Sequence, residues 1–227
     1  MIRQDYILRM IAQFGQLWAR LVEQLRAGLF HDAQATLDLA YEQMLGLPAE
    51  HARTLTAQDL LARMQFAAPP DEGRQRCLML SALLAAEADI AGAQHLPDMA
   101  AQANQKALEI LLVVLLRQPG LALPAYAPTV ARLTAALADY RLPPSTNRLL
   151  LEHYEQGGAF AKAEDCLFEL RAQAGASAPL AALGEAFYQR LRGYTDEQLH
   201  AGNFSRHEIE AGLAAWHSRS PASDRPA

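Results

Sequence analysis

Lysine is almost missing from this 227-residue chain. It stands only at Lys106 and Lys162, and arginine supplies the remaining positive charge. The formal net charge is -5, and neither a basic block nor an aromatic-basic stripe occurs. The electrostatic footprint of a nucleic-acid binder is therefore absent, and no nucleic-acid partner is expected. Cysteine is scarce too. Cys77 and Cys166 lie far apart without a CxxC pair, which argues against a disulfide framework and a structural zinc site and leaves a single Cys77–Cys166 pairing open. Both are expected as buried small hydrophobes in a reducing compartment. Aromatic residues make up 7%, and β-branched residues are sparse as well, which argues against sheets.

Long apolar runs are missing. The longest, Ile110 to Leu116, is far shorter than the ~20 residues of a membrane span and reads as a buried helix. The opening MIRQDYILRM carries charges inside its apolar stretch and has no small-residue cleavage site, so it does not read as a signal peptide. A cytoplasmic protein with no membrane partner is the expectation. Catalytic signatures are also lacking: there is no HExxH, no GxxxxGK[ST], no GxGxxG and no GxSxG. No catalytic residue, cofactor or metal site is expected, and an enzyme is the less favoured reading.

What the chain does have is 51% hydrophobic residues dominated by alanine and leucine, enough for a sizeable helical core. In the first helix, expected from Gln4 to about Ala27, Ile7, Ile11, Phe14, Trp18, Leu21 and Leu25 recur at alternating spacings of four and three. Leu8, Met10, Leu17 and Val22 widen that seam. Such a helix is deeply packed or part of a subunit interface, so Ile7, Ile11, Phe14, Trp18 and Leu21 are candidate self-association residues and a homodimer is expected. Gly28 permits the left-handed stop, and a helix from His31 to Leu45 follows. GLPAEH breaks the chain. Thr56, with Asp59 three residues on, opens a short helix that ends at AAPP.

Further helices are expected at about Asp71–Ala91, Pro97–Arg117, Ala127–Tyr140, Thr146–Gln156, Ala159–Ala174 and Pro179–Arg192. Arg117 to Pro128 is a candidate hinge, and RLPPST, from Arg141, is a second break with Ser145 as a cap. Thr195 with Gln198 and Ser205 with Glu208 form two capping boxes at a helical corner, with Phe204 placed as a hydrophobic staple. Residues 1–217 read as one helical-hairpin domain and 218–227 as a disordered tail.

The most site-like stretch is HYEQGGAFAKAEDCLFELRA, His153 to Ala172. Periodicity resolves it into an αα-hairpin: Leu150 and Tyr154 precede Gly157–Gly158, and Phe160, Ala163, Leu167 and Leu170 share one face afterwards. Nothing in the spacing brings Cys166 within hydrogen-bond reach of His153. The spacing Tyr154, Gly158, Ala163, Leu167 resembles the tetratricopeptide repeat, and Gly28, Ala33, Leu37 and Ala40 repeat part of it, with a weaker copy in AAQANQKALEIL. The expected fold is all-α, with stacked antiparallel helical hairpins in a tetratricopeptide-like α-α superhelix. On the inner helix of the hairpin, Arg148, Glu152 and Glu155 are candidate groove residues. Glu152 would repel a carboxylate, so capture of a peptide C-terminus is disfavoured.

MIRQDYILRMI and DEQLHAGNFSRHEIEAGL resemble the two ends of an uncharacterised bacterial family that opens with a QDY-I-(L/M)-R segment and closes with NFSR-E-I/V-GL. The resemblance implies a helical, cytoplasmic bacterial protein and no assigned activity. Two functions follow from the sequence. The first is a non-catalytic helical scaffold that binds a protein, a peptide or itself. The second is an enzyme or small-ligand sensor with a pocket between helical layers.

Overall fold

A computed structural model describes residues 2–66, 69–175 and 177–218, and among them it contains twelve α-helices and no strand. The expected tail falls almost wholly on residues 219–227, which lie outside the described residues; Ser218 still belongs to the last helix. The chain divides into two compact units between Arg141 and Leu142. The boundary lies at the RLPPST break.

The first unit holds α1 (Ile2–Arg26), α2 (Phe30–Leu45), α3 (Ala49–Thr54), α4 (Ala57–Phe66), α5 (Pro70–Ala93), α6 (Pro97–Arg117) and α7 (Val130–Ala136). The second holds α8 (Pro144–Gln156), α9 (Phe160–Ala174), α10 (Ala178–Leu191), α11 (Asp196–Ala201) and α12 (Arg206–Ser218). Three differences from the sequence expectation have local causes. GLPAEH does break the chain, but Pro48 then serves as the N-cap of the short α3. The expected helix 127–140 shrinks to α7, whose start is fixed by Thr129 Oγ1 accepting from the Arg132 N–H at 3.1 Å. Ser145 is not a cap, because α8 already starts at Pro144, which needs no amide partner in the first turn.

One turn recurs four times. Gly28, His95, Gly158 and Asn203 all have φ between 55° and 72°. In each case the next residue donates its N–H five residues back: Leu29 to Gln24, Leu96 to Ala91, Ala159 to Tyr154 and Phe204 to Leu199, at 2.8–2.9 Å. This is the Schellman ending, which satisfies the orphan carbonyls of the preceding helix. Three of these turns join α1 to α2, α5 to α6 and α8 to α9 in hairpins. Counting five, nine and twelve residues on from the left-handed position gives Ala33, Leu37 and Ala40 in α2, and Ala163, Leu167 and Leu170 in α9, all buried. The small alanine nearest the turn lets the paired helices approach. His95 and Asn203 do the same job at some backbone cost, since they carry a Cβ into the left-handed region.

The core of the first unit is built around α5. From Cys77 to Ala88 every residue of α5 is buried, so this helix is surrounded rather than amphipathic. It is flanked by α1, α2, α4 and α6. Helix α6 is the one helix among the described residues long and apolar enough to cross a membrane. Ala107, Leu108, Ile110, Leu111 and Leu112 are spent in the core, and Ser81 Oγ of α5 donates to the Ala107 carbonyl at 2.9 Å.

The second unit closes differently. Trp216 of α12 lies on Gly184 of α10, where an added Cβ would come within 2.0 Å of the indole. The indole Nε1 donates to the Ala181 carbonyl at 3.1 Å, and the Arg171 guanidinium covers the ring at 4.5 Å. Phe160 sits on Gly202 in the same manner.

Candidate functional site

The hairpin cluster that looked most site-like is scaffold. Arg148 and Glu152 pair one turn apart along α8 at 2.7 Å, and both are exposed. Glu155 does not join them. It turns to α10 and accepts from Arg190 Nε at 2.5 Å and from Nη2 at 2.8 Å. Only two of the three candidate groove residues therefore share an exposed strip. Glu155 lies on the same helical face but in the last turn of α8, within reach of the Arg190 side chain of α10. His153 is half-buried with its ring 5.6 Å from that of Tyr154, and burial lowers its pKa. Cys166 is a free buried thiol whose pKa burial pushes up to about 12, so it is not a thiolate nucleophile. Cys77 is likewise free and buried, at about 11.

The α11–α12 corner also spends its polar groups internally. Thr195 and Gln198 form the full reciprocal box. Ser205 Oγ accepts from the Glu208 N–H at 3.3 Å and donates to the Glu208 carboxylate at 2.6 Å. Arg206 binds Asp196 at 2.7 Å and the carbonyls of Arg192 and Tyr194.

A polar cluster that the sequence reading missed lies in the first unit. Glu87 of α5 is buried. It accepts from the Tyr41 hydroxyl at 2.9 Å and from Arg53 Nε, while Arg53 Nη2 reaches Asp38 at 2.8 Å. Lys106 Nζ donates to the Ala52 and Arg53 carbonyls at 3.2 and 2.5 Å, at the end of α3. Burial and the Glu87 carboxylate hold the Tyr41 phenol well above its ordinary pKa, and burial lowers that of Lys106. Every charged head has found a partner, so the cluster pins α3 to α5 and α6. A signal was present, since Glu87 interrupts the apolar LLAAEADI run and Lys106 is one of only two lysines.

The family match runs through both units and through both end segments. The chain belongs to a family of unknown function, DUF6483, whose model matches residues 1–220. No curated protein and no solved structure matches it.

Within that family frame, α1 offers the surface that the core does not consume. Phe14 and Leu21 are 0% and 1% exposed and belong to the core, so they are removed from the candidate self-association set. The core takes them because, with Met10, they lie on the face that α2 and α5 cover. Ile7, Ile11 and Trp18 are half-buried on the flank beside them. Leu8, at 60% exposure, extends that flank outward. A shallow depression of about 530 Å³ lies along Trp18, Ala19, Val22 and Arg26.

Proposed function

We propose that this protein is a non-catalytic helical scaffold of the bacterial cytoplasm that works by association, first with a second copy of itself. The supporting observation is that α1 is apolar over a wider arc than its own unit covers. Ile7, Ile11, Trp18 and Val22 remain half-buried and Leu8 exposed. Gly15 lies in the middle of that flank, exposed, with nothing within 4 Å of where a Cβ would stand. A mid-helix glycine costs about 0.5–1 kcal/mol against alanine, and among the described residues nothing packs into the gap. A second helix crossing there fills it.

An antiparallel two-fold pairing centred on Gly15 sets Leu8 of one copy against Val22 of the other. Ile11 then meets Ala19, beside the Trp18 depression. At 25 residues α1 is about 37 Å long, room for several turns of contact.

Light scattering of the native chain tests the reading. The expected mass is twice the 24.9 kDa of one chain, falling to one chain in the Leu8→Glu, Val22→Glu double variant with its helix content unchanged. A single-chain mass for the native protein at micromolar concentration overturns self-association. Recovery of a stoichiometric second protein on the same helix would replace the second copy with a heterologous partner.

A further inference from the structure

A second cavity lies apart from the α1 flank, where α4, α5 and α6 meet. It measures about 360 Å³ and is lined by Gln65, Gly73, Arg74, Val114, Arg117 and Gln118. Its polar groups are mostly donors. Arg74 Nη1 holds Asp71 at 3.0 Å, but Arg74 Nε is buried and has no hydrogen-bond partner among the described residues. Arg117 makes no hydrogen bond or ion pair among the described residues. Its charge is felt by the buried Cys77 thiol beneath. A buried N–H without an acceptor costs about 1–3 kcal/mol and is rare in folded proteins. Two guanidiniums with spare donors at one cavity, in a chain of net charge -5, are complementary to an oxyanion. Val114 gives the cavity an apolar wall. The volume falls at the low end of the range for small-molecule clefts.

We propose that this cavity binds a small oxyanion, a carboxylate or a phosphate, carried on a compact apolar body. The anion accepts from the guanidiniums of Arg74 and Arg117. The carboxamides of Gln65 and Gln118 complete its polar contacts, and the apolar body lies toward Val114. The site uses none of the α1 residues, so it stands or falls independently of self-association.

Calorimetric titration of the full chain with benzoate, with phenyl phosphate and with inorganic phosphate tests this. Saturable one-to-one binding of benzoate or phenyl phosphate is expected, and which of the two binds more tightly assigns the anion class. Arg117→Gln weakens it about ten-fold or more while leaving helix content unchanged, since Arg117 is exposed at the end of α6; Arg117→Lys retains part of the affinity. Three results overturn the proposal: no saturation by either organic probe at millimolar concentration, unchanged affinity in Arg117→Gln, or inorganic phosphate binding as tightly as the organic probes.

Discussion

The two units solve the same packing problem with different materials. The first surrounds one long helix, α5, with aliphatic side chains from four neighbours, so burial is spread over many alanines and leucines. The second is small and relies on large rings laid on glycines: Trp216 on Gly184, Phe160 on Gly202, and the Tyr188–Glu164 pair against Gly212, where an added Cβ would come within 2.6 Å of both side chains. Distributed aliphatic packing can relax around a change. A ring seated on a backbone cannot, because the helix it touches has no side chain to move aside. The difference teaches that stability in the second unit is concentrated in a few contacts.

The sharpest way to break this comparison is Trp216→Ala. It removes the indole, its bond to Ala181 and its cation–π contact with Arg171, and the expected loss is about 4 kcal/mol. Urea unfolding followed by amide exchange should localise the loss to α9, α10 and α12; a loss spread equally over α5 and α6 would erase the distinction. Next is Gly184→Ala, where one methyl must displace the indole. About 2–3 kcal/mol of overpacking cost is expected, read as a lower urea midpoint at unchanged slope.

In the first unit, Glu87→Gln weakens the hold on Arg53 and Tyr41. About 2 kcal/mol is expected, less than for a fully buried ion pair because Arg53 is partly exposed and keeps Asp38. Gly92→Ala, on α5, has the opposite sign to Gly184→Ala. Nothing lies within 4 Å of its added Cβ, so a gain of about 0.5 kcal/mol is expected, seen as a higher melting temperature.

The smallest effect concerns pH. Burial lowers the His153 pKa below its ordinary value of 6.5, so below that pH the unfolded chain binds the proton first and stability falls as pH falls. Glu164, whose pKa burial raises from 4.5, opposes this at lower pH, where the folded chain binds its proton first and stability is gained. The His153→Gln variant should therefore lose less melting temperature than the native chain on acidification through about pH 6.5. An identical profile would show that His153 carries none of the dependence.

Much of this was legible in the sequence because helical periodicity and turn chemistry are local. The faces of α2 and α9 were read from alanine and leucine spacing, and Gly28 and Gly158 marked their turns. His95 was not read as a turn residue, since histidine adopts the left-handed region only where its neighbours hold it there. The candidate sites were read less well. Ile7, Ile11, Phe14, Trp18 and Leu21 form one seam by spacing, yet the core takes Phe14 and Leu21 and leaves the others at the edge. Glu155 was assigned to an exposed strip, and Arg190, thirty-five residues later, removes it.

Composition and periodicity by themselves determined an all-helical chain, its hairpins and the lack of catalytic signatures, because each depends on residues within a turn or two of one another. Only the tertiary structure decided that Glu87, Arg53, Tyr41 and Lys106 meet, that rings settle on Gly184 and Gly202, and that Arg74 and Arg117 share a cavity. Those meetings join residues far apart along the chain, and a helix can be rotated or slid against its neighbour without any change in its own spacing pattern.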